Sequence, residues 1–198
     1  MLASWDDLYR FAAPILWAPR GALPLLLLAL GLVWTGYPLR KRRLRARGMT
    51  FSPGHRVILS LLALWGVMLV YLTIDPVSSA LNCLRHRWPL NPIHWFEGTV
   101  NWAFWLIPDN GWEWLMLAGN VGLFLPLGLL LPLGWRGWKV WKAALCGLGV
   151  SLAIELLQFT LAARALDVQD ILTNTAGAAL GGWLGCIFPR RWQVQPLG

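Results

Sequence analysis

Five stretches of this sequence, residues 21–39, 57–74, 114–133, 143–163 and 171–188, are each long and apolar enough to cross a bilayer. A hydrocarbon layer of about 30 Å takes roughly 20 helical residues at about 1.5 Å apiece. Within that layer a helix satisfies every backbone polar group internally. The expected fold is therefore all-α: a polytopic bundle of five transmembrane helices. Composition agrees, since 57% of the 198 residues are hydrophobic, 13% are charged and the mean hydropathy is +0.53. Many of the 15 tryptophans, among them Trp17, Trp112, Trp114, Trp135, Trp138 and Trp183, fall at the ends of the apolar runs. Amphipathic rings favour the headgroup level there, so they read as interfacial anchors.

Charge sets the expected orientation. Seven Lys or Arg lie between the first two spans, three between the third and fourth, and two in the tail, which makes 12 on one side against 5 on the other. Short cytoplasmic connections gather the Lys/Arg excess, so the N-terminus is expected outside and the C-terminus in the cytoplasm. Asp6 and Asp7 precede the first span and the basic cluster follows it, the reverse of a cleaved signal peptide. The basic run after Leu39 reads as a topology determinant, with an anionic-lipid contact as its alternative role. Residues 5–19 mix Asp6, Asp7 and Arg10 with apolar residues and are expected to form a short amphipathic helix along the outer interface.

The expected organisation is an N-terminal part over 1–56 with one added helix and a basic loop, a four-helix membrane domain over 57–188, and a short cytoplasmic tail over 189–198. The longest connection, 75–113, is rich in Pro and Trp, and Pro89, Pro92 and Pro108 oppose a continuous helix. It is expected to fold as interfacial turns over the bundle.

Several activities find no support. The basic residues sit between apolar spans without a nucleic-acid-binding module. Cys83, Cys146 and Cys186 show neither a disulfide framework nor zinc spacing, and His55, His86 and His94 lack paired metal-ligand spacing. There is no Gly-rich nucleotide loop or nucleophile elbow. No metal and no cofactor is expected.

Chemistry is concentrated near the C-terminus. Ser151, Glu155 and Gln158, then Arg164, Asp167, Asp170, Asn174, Gly177 and Gly181, recur three or four residues apart, which on a helix gives each series one face. An acidic group at mid-membrane costs roughly 2.5–3.5 kcal/mol on translocon scales, so Glu155 needs a partner or a proton, and an intramembrane ionisable residue is a functional candidate by default. In the third span Asn120 lies about 9 Å below Trp114, and Glu155 about 12 Å below Ala163 in the fourth. With Asn174 about 6 Å inside the start of the fifth, three spans place their polar groups in the outer half of the membrane, beneath the turn 164–170, as a pocket opening outward. Gly177, Gly181 and Gly185 form a small-residue series, on the face expected to carry Asn174 as well, that favours close helix packing. Phe124, Pro126 and Gly128 in the third span complete the packing set. Pro126 removes a backbone hydrogen bond, and a kink beside the pocket is expected.

Taken together, Asn120, Phe124, Pro126 and Gly128, then Glu155 and Gln158, then Arg164, Asp167, Asp170, Asn174, Gly177 and Gly181 resemble the VanZ-like family, over roughly 57–188. Residues 91–96 are similar, more loosely, to an Asn-x-x-Pro-Phe stretch in that family, although here Pro92 directly follows Asn91. The resemblance implies a bacterial plasma- or inner-membrane protein of the cell envelope in a setting of low-level resistance to the glycopeptide teicoplanin. It implies a setting more than a reaction.

The leading expectation is a ligand site of Asn120, Glu155, Gln158, Arg164, Asp167, Asp170 and Asn174. It would take an amphipathic molecule, a lipid-linked envelope precursor or a lipoglycopeptide, among membrane lipids. One alternative is an intramembrane transferase or hydrolase using Glu155, Asp167 or Asp170 as general base and Arg164 to stabilise negative charge. Another is a non-catalytic assembly partner of envelope-synthesis machinery.

Overall fold

The computed structural model describes residues 5–50, 52, 54–74, 100–101, 110–161, 166–188 and 195–196. Among them are five helices, α1 (Trp5–Arg45), α2 (His55–Ile74), α3 (Gly111–Gly134), α4 (Val140–Leu161) and α5 (Val168–Ile187). Four two-residue strands accompany them: β1 (Met49–Thr50), β2 (Val100–Asn101), β3 (Leu166–Asp167) and β4 (Gln195–Pro196). β1 pairs antiparallel with β4, Met49 opposite Pro196, and β2 pairs parallel with β3, Asn101 opposite Asp167.

The fold is all-α as expected, and four of its helices, Ala22–Arg45 within α1, His55–Thr73, Gly111–Gly134 and Val140–Phe159, are long and apolar enough to span a membrane. α5 has the length, 20 residues, but not the same apolarity. Asp170, Asn174 and four glycines occupy it because it is the helix the others close upon. One boundary differs from expectation. Residues 5–19 do not form a separate interfacial helix but open α1, which runs unbroken to Arg45. No Asn-Gly or Gly-Gly turn separates the two stretches. Beyond Leu39, Arg and Lys are good helix formers whose stems let charge reach water while the backbone stays helical.

Capping sets where α3 and α5 begin. Asn110 Oδ1 accepts from the Glu113 amide at 3.0 Å and Asn110 Nδ2 donates to Glu113 Oε1 at 2.8 Å, starting α3 three residues before the apolar run. Asp167 Oδ1 accepts from the Gln169 amide at 2.8 Å and starts α5 in the same way.

α5 packs along both α3 and α4, the two most extensive helix contacts. Its rows explain this. Gly177, Gly181 and Gly185 lie against the backbone of Val121, Leu125 and Leu129 on α3, and a Cβ at Gly181 would collide with the Leu125 carbonyl oxygen. The adjoining row, Asn174, Ala178 and Gly182, turns toward α4, where Gly182 meets Ala143. Asn174 was expected on the glycine face; it stands on the neighbouring row, since three residues rotate a helix by about 300° rather than a full turn. Gly128 on α3 is held equally close to the Ala178 carbonyl. Small residues here let backbones touch where no hydrophobic drive separates helix from lipid.

Around this seam Phe124, fully buried, clusters with Leu69, Leu127, Ile154 and Ala178, and a second cluster joins Ile58, Leu130 and Leu133. Leu27, Leu28 and Leu32 on α1, Leu145 and Leu156 on α4, and Ile187 on α5 face outward, as a lipid-facing surface requires. α1 lies on α2, where the Arg56 guanidinium sits 4.8 Å from the Trp34 ring and 4.3 Å from that of Tyr37.

Candidate functional site

The polar residues of α3, α4 and α5 turn toward one another, not toward lipid. Asn120 Nδ2 on α3 donates to Asp170 Oδ1 on α5 at 2.6 Å. Asn174 Nδ2 on α5 donates to Ser151 Oγ on α4 at 2.9 Å, in a buried contact. Glu155 Oε2 on α4 accepts from the Asp167 amide at 2.9 Å, where α5 begins. An N-terminal helix end carries unsatisfied N–H groups and a partial positive charge, so a carboxylate is well placed there. Gln158 Nε2 donates to the Thr73 carbonyl at the end of α2 at 2.7 Å.

The layer has a dry floor and a wetter rim. Glu155 is 3% exposed and Asn174 7%, and Ser151 is fully buried. Asn120, Gln158, Asp167 and Asp170 are half-buried. The Asn174 amide oxygen has no hydrogen-bond partner among the described residues. Leaving a buried acceptor unmet costs about 1–3 kcal/mol. Native chains rarely tolerate that without a reason.

Arg164, the cation expected above this layer, lies outside the described residues, as do most of 75–113, the tail apart from Gln195 and Pro196, and Cys83, His86 and His94. Phe124 and Gly128 pack as the helix contacts require, and Pro126 lies inside α3. Two contributors were not legible in the sequence. Trp65 Nε1 donates to the Leu123 carbonyl at 2.6 Å, one residue beyond the Gly122 carbonyl that Pro126 leaves without a helical amide; a tryptophan inside an apolar run gives no hint of the carbonyl it will meet. Thr73 contributes a backbone atom, which carries no sequence signal at all.

At the opposite end of the bundle lie two cavities among the described residues. One, of about 460 Å³, is lined by Arg40, Arg43, Leu44, Arg47, Met49, His55 and Trp135. The other, of about 390 Å³, is lined by Leu32, Val33, Gly36, Tyr37, Leu39, Leu59 and the same Arg40 and Arg43. His55 is fully buried and meets Trp135 edge to face at 5.2 Å.

Residues 57–189 match the VanZ/LLP1 family. The chain is similar to Protein VanZ of Enterococcus faecium, 29% identical over 121 residues, which is 61% of this chain and 68% of that protein. No solved structure matches the chain.

Proposed function

The chain belongs to the VanZ/LLP1 family, and from that premise we propose that its polar layer holds the hydrophilic part of an amphipathic envelope molecule. That molecule is a lipid-linked cell-wall precursor or a lipoglycopeptide such as teicoplanin. α5 crosses the membrane as a fifth span, its polar atoms sheltered by α3 and α4. The N-terminus is outside, because the basic connections belong on the cytoplasmic side. The layer then opens to the non-cytoplasmic leaflet, where such molecules reside.

One observation supports the reading above the rest: the Asn174 amide oxygen is buried at the floor of the layer and has no donor among the described residues. A sugar hydroxyl or peptide amide of the ligand supplies one. Asn120, Gln158, Asp167 and Asp170 form the rim, and Glu155, bound to the start of α5, fixes the rim's height. Arg164 meets an anionic headgroup.

A second reading, that the layer only fastens helices, is favoured by the bonds that Asn120 and Gln158 make to neighbouring helices. The two readings diverge at Glu155→Gln. The substitution keeps an oxygen to accept the Asp167 amide and removes the carboxyl group, which on the ligand reading also meets the ligand and on the fastening reading does nothing more. In cells producing the full chain at unchanged membrane level, it abolishes teicoplanin tolerance on the ligand reading and leaves tolerance intact on the fastening reading.

A further inference from the structure

We propose that the basic end of α1 is a binding site for a single anionic phospholipid, its phosphate on Arg40, Arg43 and Arg47 and its acyl chain in the groove between α1 and α2. The site is separate from the polar layer and does not depend on which side of the membrane this end faces.

Arg40 and Arg43, at i and i+3 near the end of α1, share one helical face, and Arg47 in the turn that follows lines the same cavity of about 460 Å³ with them. None of the three guanidinium groups has an acidic, hydrogen-bonding or aromatic partner among the described residues. The described residues that meet at this end, 40–50, 54–56 and 134–142, contain ten Lys or Arg and no Asp or Glu. Arg56, by contrast, is already engaged by Trp34 and Tyr37. Guanidinium groups bind phosphate by paired, charge-assisted hydrogen bonds, and an unneutralised cluster at a membrane surface attracts anionic lipid.

A cluster of charge alone would hold lipid diffusely; the second cavity makes a site. It shares Arg40 and Arg43 with the first and continues as an apolar groove of Leu32, Val33, Gly36, Leu39 and Leu59 along two membrane-spanning helices. A basic chamber joined through two arginines to an apolar one has the amphipathic order of a phospholipid. A free phosphate ion would use only the first chamber.

The test is lipid retention by the full-length protein in detergent, read by native mass spectrometry with phosphatidylglycerol and with phosphatidylcholine. Wild type retains one phosphatidylglycerol and no phosphatidylcholine. The exposed pair R40Q/R43Q weakens retention about thirtyfold, the effect of two cations at a membrane surface. R42Q/R45Q removes the same charge from residues that line neither cavity and changes retention less than threefold. Gly36→Leu fills the groove, where an added Cβ meets nothing within 4 Å, and weakens phosphatidylglycerol retention without altering thermal stability. Equal losses in the two arginine pairs, equal retention of phosphatidylcholine, displacement by millimolar inorganic phosphate, or no effect of Gly36→Leu would each overturn the proposal.

Discussion

Asn174 donates to Ser151 across the buried contact of α5 with α4, while its own amide oxygen has no donor among the described residues. An amide kept for packing would gain from having both its polar atoms satisfied. Its stabilising value is small, since interhelical hydrogen bonds in membranes average about 0.6 kcal/mol. Asn174→Ala, which removes both polar atoms without adding bulk to the contact with α4, changes the melting temperature in detergent little, by the equivalent of about 1 kcal/mol or less, yet eliminates ligand binding. A large loss of stability would place Asn174 in the scaffold instead.

The glycine seam behaves oppositely. Gly181→Val drives a side chain into the Leu125 carbonyl of α3, backbone that cannot move aside, and costs about 1–3 kcal/mol or more. Gly31→Val, where an added Cβ meets nothing within 4 Å, is the matched control and leaves thermal unfolding in detergent unchanged.

Trp65→Phe keeps the ring contact with Phe124, now at 6.1 Å between centroids, and removes the bond to the Leu123 carbonyl. The expected loss is on the order of 1 kcal/mol, measured by denaturation. A shift of several kcal/mol would mean that the α2 to α3 contact collapses without this bond.

Much of this architecture was readable because apolar runs have length. The spans of α1 to α4 follow from Leu- and Ala-rich stretches, and the starts of α3 and α5 shift only where Asn110 and Asp167 cap them. Helical spacing also placed Glu155 and Asn174 on inward faces. Periodicity gives a face but not the neighbour across it. That Asn120 reaches Asp170, that Gln158 reaches a carbonyl on α2, and that Asn101 pairs with Asp167 depend on which helices stand side by side. α5 answers to the last of the five runs but falls short of the apolarity of the other four helices, because glycine and amide lower its hydropathy for the same reason that they place it at the centre.

Orientation has its own test. In a chain with its cysteines replaced, a membrane-impermeant maleimide applied to intact cells or spheroplasts labels Glu113→Cys and not Arg45→Cys. Labelling of Arg45→Cys alone would put the polar layer on the cytoplasmic side.

The most direct measurement is a titration of the purified full-length protein in lipid nanodiscs with teicoplanin and with a lipid-linked cell-wall precursor, beside Glu155→Gln shown to be equally folded. The polar layer as ligand site predicts saturable binding of at least one of them to the wild type and none to the variant. Equal binding by both proteins, or none by either, would contradict it.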